Sequence, residues 1–338
     1  MRATHLLALL VQAADKASQG IVICDADGTV LLRNAPARDL VNARDGDLLA
    51  DKAIEAALGR ALTGSYHEET LDLYSPTRHT LEIRAYPLRE GASLLGAVAL
   101  VDDVSELRRL EAVRRDFVAN LSHELKTPLG ALSLLAETLD GEEDSDVVSR
   151  LTARVGAEAT RFSRIVDDLL DLSRIEAGGT GTLAPVAVSA VIDEVVDGFY
   201  DQAAARQISL EVTPTGPYLF VMANRRDLTS AVSNLVDNAI KYSPEGAAVD
   251  VNASREKDNV VITLRNGGPG IPPDELPHVF ERFYRGRNSR SQPGNGLGLS
   301  LSRAIVRAHG GQLSVTSREN VLTTFTLMLP CSSGRRSS

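Results

Sequence analysis

Tryptophan is missing from this chain of 338 residues, and Phe and Tyr together supply only 4% of it. So lean an aromatic content favours helical packing and simple α/β layers over an aromatic-rich β-sandwich. Cysteine is almost absent too. Cys24 and Cys331 lie far apart and form no C-x-x-C pair, which removes support for a disulfide framework or a zinc site and fits a reducing, cytoplasmic setting. A basic excess is lacking: the formal charge is −9, whereas a nucleic-acid footprint needs clustered Lys and Arg. Long apolar runs are lacking as well. The run Leu6–Val11 falls far short of the roughly 18–20 residues that span a bilayer, so no membrane span is expected. It continues into Asp15 and Lys16 without a small-residue cleavage site, and so reads as an N-terminal helix over residues 1–14 rather than a secretory signal.

What is present is length enough for two or three domains. Ile21–Cys24, the Asp25-Ala-Asp-Gly28 turn and Val30–Leu32 read as a hairpin, with Asp-Gly supplying the turn chemistry. Thr80–Ala85 and Leu94–Val101 suit two more antiparallel strands, and Arg38–Leu62 between the pairs looks helical. Residues 15–102 therefore read as a small α+β domain. From 103 to 178 the pattern turns helical. Leu110, Val113, Phe117, Leu121, Leu125 and Leu132 recur at helical spacing, as do Leu151, Val155, Phe162, Ile165, Leu169 and Leu172, with Gly141–Asp146 as the turn between. That is an antiparallel helical hairpin, and because one hairpin cannot enclose a core between two stripes, a homodimeric four-helix bundle is expected.

The glycines of Ala177–Thr182 suggest a flexible linker, placed at residues 179–184. Beyond it, in residues 185–331, helical patterns at Ser189–Arg206, Arg225–Tyr242 and Gly298–His309 alternate with strands at Ile208–Thr213, Val249–Ser254, Val260–Arg265, Gln312–Thr316 and Thr323–Leu329. This predicts a two-layer α/β sandwich, so the whole is a multidomain α+β protein. Residues 332–338 read as a disordered tail.

The chemistry concentrates in four short strings. In Phe117-Val-Ala-Asn-Leu-Ser-His-Glu-Leu-Lys-Thr-Pro-Leu129, His123 falls roughly 160–240° around the helix from the apolar stripe, so its ring faces solvent, where a second domain can reach it. A neutral imidazole offers one lone pair for attack on a phosphorus, and adjacent Glu124 can take up the charge that develops at its other N–H. A lone histidine here would be an ordinary solvated side chain; the whole string argues otherwise. In Asn234-Leu-Val-Asp-Asn-Ala-Ile-Lys-Tyr242, the side chains of Asn234, Asn238 and Lys241 share one helix face, opposite Leu228, Val232, Leu235 and Ala239. Amide oxygens are hard ligands suited to Mg²⁺. Asn266-Gly-Gly-Pro-Gly-Ile271 follows a strand, and Gly294-Asn-Gly-Leu-Gly-Leu299 opens a helix whose N-terminal N–H groups can meet phosphates. No Gly-Lys-Ser/Thr follows, so this is not a Walker A loop.

Taken together, these strings resemble the two-component sensor histidine kinases, with an overall likeness to actinobacterial phosphate-responsive members. The resemblance is strongest in Phe117–Leu129 and the later boxes. It implies a PAS-like N-terminal domain, a HisKA-type dimerisation domain and a GHKL-type ATP-binding domain, with ATP and Mg²⁺ as cofactors and a cognate response regulator as partner. It nominates His123 as phosphoacceptor, Glu124 as general base and Thr127 as the residue orienting water in dephosphorylation. It nominates Asn238 as Mg²⁺ ligand, Lys241 on phosphate, Tyr242 near the nucleotide and Asn234 beside the reacting end. Asn266, Gly268, Gly270 and Ile271 occupy the adenine box, Phe280 and Arg285 the F box that anchors a lid, and Gly294, Gly296, Gly298 and Leu299 the second glycine box. Arg287 and Arg290 follow the F box and read as solvated charges. The family usually has Asp where this chain has Asn266, which leaves a nucleotide-impaired scaffold or phosphatase as the alternative. His309, beside Gly310-Gly311 at a helix end, reads as structural.

Overall fold

The computed structural model describes residues 2–41, 47–74, 78–213, 219–289 and 294–332. It divides into two compact units, residues 1–116 and 117–338. The expected tail and Arg290 fall outside the described residues, apart from Ser332, whose N–H donates to the carbonyl of Phe220 at 2.8 Å. Among the described residues no helix is long and apolar enough to cross a membrane.

In the first unit, α1 (Arg2–Asp15) precedes β1 (Gly20–Asp25), β2 (Val30–Arg33), α2 (Ala35–Val41), α3 (Asp47–Leu62), β3 (His67–Tyr74), β4 (Arg78–Glu90) and β5 (Ser93–Asp103). The strands form one antiparallel sheet in the order β2-β1-β5-β4-β3. Strand β3 was not evident from the sequence, because His-Glu-Glu-Thr-Leu-Asp-Leu-Tyr is an edge strand whose charges obscure the alternation. The β1–β2 turn forms as its composition predicts: the Asp25 carboxylate accepts from the N–H groups of Asp27 (3.1 Å) and Thr29 (2.8 Å), and Gly28 takes a left-handed φ of 84°. Ala50, Ala57 and Ala61 of α3 are buried with Ala85, Ala97 and Ala99 of the sheet, so short side chains bring helix and sheet close together.

One buried polar residue organises this unit. The amide of Asn34, 1% exposed, accepts from the N–H of Ile21 (2.7 Å) and of Ala37 (3.0 Å) and donates to the carbonyls of Ala14 (2.8 Å) and Gln19 (2.9 Å). It thereby ties the end of α1, the start of β1 and the start of α2. At the opposite end, Asp103 accepts from the N–H of Ser105 at 2.9 Å and from its hydroxyl, and pairs with His79 Nδ1 at 3.1 Å. Burial alone would raise its pKa, but these hydrogen bonds outweigh burial and hold it below the ordinary carboxylate value.

Helix α4 (Ser105–Leu139) continues through Pro128, and α5 (Ser145–Glu176) follows. The carboxylate of Asp144 caps α5 by accepting from the N–H groups of Asp146 (2.9 Å) and Val147 (3.3 Å), so α5 begins two residues earlier than its apolar pattern suggested. The sandwich comprises β6 (Ala184–Ala187), α6 (Val188–Ala205), β7 (Ser209–Val212), β8 (Phe220–Ala223), α7 (Arg225–Tyr242), β9 (Ala248–Glu256), β10 (Asn259–Asn266), α8 (Gly298–Ala308), β11 (Gln312–Arg318) and β12 (Leu322–Pro330). Its main sheet has the order β11-β12-β10-β9-β7, antiparallel except for the parallel pair β7–β9, and β6 with β8 makes a second small sheet. These two four-residue strands carry no alternation that sequence could reveal.

The stripe on α5 is used differently from expectation. Leu172 and Ile175 are buried in the same core as Val191, Leu228 and Leu301, so the lower half of the stripe packs against the sandwich rather than a bundle seam. The glycine linker is likewise held: Gly179 N–H donates to the carbonyl of Arg174 (3.0 Å) and Arg174 Nη1 donates to that of Gly179 (2.7 Å). Arg174 also donates through Nη2 to the carboxylate of Asp227 at 2.6 Å, and Asp227 is 3% exposed. That carboxylate lies in the first turn of α7, where the helix dipole also favours it.

Two substitutions test these anchors. Asn34→Ala leaves four backbone groups unanswered and is expected to destabilise the first unit by about 3 kcal/mol or more, read as a lowered transition in calorimetry of the full chain. Arg174→Met strands the Asp227 carboxylate. Its expected cost is about 3 kcal/mol, at the low end for breaking a buried pair because Arg174 is partly solvated, measured by urea denaturation of the sandwich.

Candidate active site

The string around His123 lies on α4. His123 and Thr127 are exposed, Glu124 is half-buried and Pro128 is buried. The Thr127 hydroxyl donates to the carbonyl of His123 at 3.1 Å, one helical turn away, as Ser and Thr do when their side chains bond back along a helix. Six residues before His123, or about 9 Å along the helix axis, the ring of Phe117 lies 5.7 Å from that of Phe283. The Arg282 guanidinium stacks 5.0 Å from the centre of the Phe117 ring and pairs with Glu176 of α5. The segment after β10 thus touches both stalk helices.

A cavity of about 410 Å³ lies between α5, α7 and the sheet. From α7 it receives Asn234, Asn238, Lys241 and Tyr242. They face it because Leu228, Val232, Leu235 and Ala239 turn the other side of the helix into the core. Asn266 lines it from the end of β10, and Gly270 and Ile271 from the segment after it; Arg285, Gly294 and Gly296 line it from the loop before α8; Gly298 and Leu299 complete it from the first turn of that helix. Two of the residues nominated for the nucleotide do not line it. Phe280 is buried in the core, with the Arg303 guanidinium 5.2 Å from its ring centre. Gly268, at φ 142°, passes so close to α7 that a Cβ would lie 2.2 Å from the carbonyl of Tyr242. Gly296 is equally constrained: at φ 69°, a Cβ would lie 2.6 Å from the backbone of Phe283.

Its polar groups make one end of the cavity suited to an anion. The Nδ2 of Asn234 is buried without a hydrogen-bond partner, a donor that a ligand acceptor would satisfy. Gly298 begins α8, whose first N–H groups have no partners within the helix. Lys241 Nζ pairs with Asp237 at 2.5 Å, and Gln202 donates to the other oxygen of Asp237 at 3.1 Å. The opposite end is apolar, with Ile271, Val279 and Phe325 beside Asn266 and Thr323. An anionic tail at one end and a flat ring at the other match the form of a nucleoside triphosphate, so the residues present fit one.

Sequence reasoning missed several contributors. Thr323 and Phe325 face inward on β12 by simple alternation and read only as core. Glu275, 7% exposed, accepts from Arg287 N–H (3.1 Å) and Nε (2.8 Å), so Arg287, whose side chain is 63% exposed in keeping with a solvated charge, also ties down the loop. Arg161, Arg164, Ile165 and Asp168 line the cavity from α5, whereas none of its lining residues comes from α4. Asp168 accepts from Asn295 Nδ2 at 3.0 Å; burial pushes its pKa up, partly offset by that hydrogen bond. His309 is buried between the carbonyl of Ile305 (2.7 Å from Nδ1) and the N–H of Asn224, which donates to Nε2 at 3.1 Å. It serves to join α8 to the start of α7.

Residues 113–178 match the family model of the His kinase A phosphoacceptor domain, and residues 223–333 match that of the histidine kinase-, DNA gyrase B- and HSP90-like ATPases. The chain is similar to the sensor-like histidine kinase SenX3 of Mycobacterium tuberculosis, 37% identical over 322 residues that cover 92% of this chain and 77% of the relative. It is also similar to the phosphate regulon sensor protein PhoR of Pseudomonas aeruginosa, 30% identical over 317 residues covering 90% of this chain and 70% of that one. In fold it resembles the histidine kinase ThkA, solved in complex with the response regulator protein TrrA, with a TM-score of 0.52 and 21% identity across 94% of this chain and 97% of that one. The chain therefore belongs to the sensor histidine kinases of two-component systems, protein kinases that bind ATP through a C-terminal ATPase domain.

Proposed function

We propose that His123 receives the γ-phosphoryl group of an ATP held in the cavity between α5, α7 and the sheet. One imidazole nitrogen attacks phosphorus, the bond from phosphorus to the bridging oxygen breaks, and ADP leaves while Glu124 takes up the proton from the other ring nitrogen. The phosphoryl group then moves from nitrogen to an aspartate carboxylate of a response regulator. Thr127, bonded one turn from His123, is the residue assigned to orienting the water that hydrolyses the regulator's aspartyl phosphate to carboxylate and inorganic phosphate. The observation that carries this reading is the unpartnered Asn234 amide beside the start of α8. It is a donor set waiting for phosphate in a chain that also exposes His123.

Mg²⁺, bound through the Asn238 side-chain oxygen, would neutralise charge on the phosphates. Because α4 supplies no wall of the cavity, which is closed instead by residues 157–168 of α5, transfer requires the sandwich to part from that segment and approach His123. A homodimer is supported by α4, where Leu107, Leu110, Val113 and Val118 are all more than half exposed in the single chain. A second copy would cover that stripe. The five-stranded sheet of the first unit serves as the PAS-like sensor, with β5 leading into α4. A decayed, nucleotide-free scaffold is disfavoured by the intact donor set at the phosphate end.

Incubation with γ-labelled ATP and Mg²⁺ should give a protein label that is acid-labile and alkali-stable, absent from His123→Ala and formed about a hundredfold more slowly in Glu124→Gln. An acid-stable label, or full labelling of His123→Ala, contradicts the assignment. Chelation of divalent ions should abolish labelling, and Asn238→Ala should raise the Mg²⁺ concentration for half-maximal rate at least tenfold; an unchanged Mg²⁺ dependence removes Asn238 from that role.

A further inference from the structure

The apolar part of the cavity holds a buried amide able to read a base. Asn266, the last residue of β10, is 4% exposed and lines the cavity beside Ile271 and Phe325. One hydrogen of its Nδ2 is committed to the carbonyl of Gly267 at 2.9 Å. Its neighbour Thr323 is already engaged by the hydroxyl of Ser317 at 2.8 Å. Asn266 thus offers a base one acceptor oxygen and a second N–H to spare, where Thr323 offers only what its bond to Ser317 leaves.

An amide differs from a carboxylate in what it tolerates. At the purine six-position adenine offers an amino donor and hypoxanthine a carbonyl acceptor. A buried carboxylate can only accept, so it pairs with the first and repels the second. An amide accepts from the amino group through its oxygen and donates to the carbonyl through its free N–H. Because only one Nδ2 hydrogen is bound to Gly267, neither partner requires that bond to be lost, which limits the preference to about tenfold.

Resting on the nucleotide reading above, we propose that Asn266 makes this kinase permissive at the purine six-position, so that inosine nucleotides enter the site alongside adenosine nucleotides. The test is calorimetric titration of the full chain with Mg-ADP and Mg-IDP, which bind without turnover. The wild-type protein is expected to bind IDP within about tenfold of ADP. Asn266→Asp should widen that ratio beyond about a hundredfold, as expected when a polar group in the site is left facing the wrong partner. Asn266→Ala, which removes both hydrogen-bonding ends, should bring it close to one. Discrimination above a hundredfold in the wild type, or an unchanged ratio in folded Asn266→Asp or Asn266→Ala, overturns the inference while leaving the nucleotide site standing. Failure of the folded wild type to bind either nucleotide overturns the nucleotide reading itself, and this inference with it.

Discussion

A carboxylate removed from water must be answered by a cation or hydrogen-bond donors, and the answer to Asp227 comes from another part of the chain. Arg174 near the end of α5 reaches the first turn of α7, while its other contacts hold Asp171 and the carbonyl of Gly179. Asp227 in turn holds the guanidinium above its ordinary pKa, with Asp171 adding to the effect. The same helix α7 carries Asn234, Asn238 and Lys241 further along. One ion pair therefore ties the helix that carries Asn234, Asn238 and Lys241 to the last turns of α5.

Around that anchor the division of labour is simple. Helix α7 spends one face on the core and the other on the cavity, and α8 contributes its N-terminus rather than a side chain. The loop between β10 and α8 is held along its middle, by the Glu275–Arg287 pair and by contact of Arg282 and Phe283 with Phe117. These contacts keep the cavity against α5 in this arrangement. Surface contacts of this kind are weak and separable, whereas the sheet beneath, with Ile262, Leu264 and Leu327 fully buried, has no reason to yield.

Much of this was legible in the sequence where a pattern had one physical meaning. The 3.6-residue stripes of α4 to α8 and the alternation of β9, β10 and β12 translate directly into buried faces, and the His123 string and glycine boxes stand at surface or cavity positions. Legibility failed where one pattern had two uses. Ile165 and Leu172 share a stripe with Leu151 and Val155, and nothing in their spacing says that the lower pair meets a different partner. Asp168, on the same side, was hidden by the same ambiguity. Strands β6 and β8 are too short to carry a period, and β3 is charged because it is an edge. The division of Asn266 from the usual aspartate was visible as a letter; what its amide does depended on seeing the bond to Gly267.

The burial of Leu172 and Ile175 also redraws where this molecule can be cut. Judged by composition, Gly178 and Gly179 invite excision of a free-standing catalytic fragment just after them. Such a fragment would lose two side chains from its own hydrophobic interior, together with the guanidinium that answers Asp227. The last two turns of α5 pack as part of the sandwich, so a cut that keeps its interior whole falls upstream of Leu172, within the helix itself.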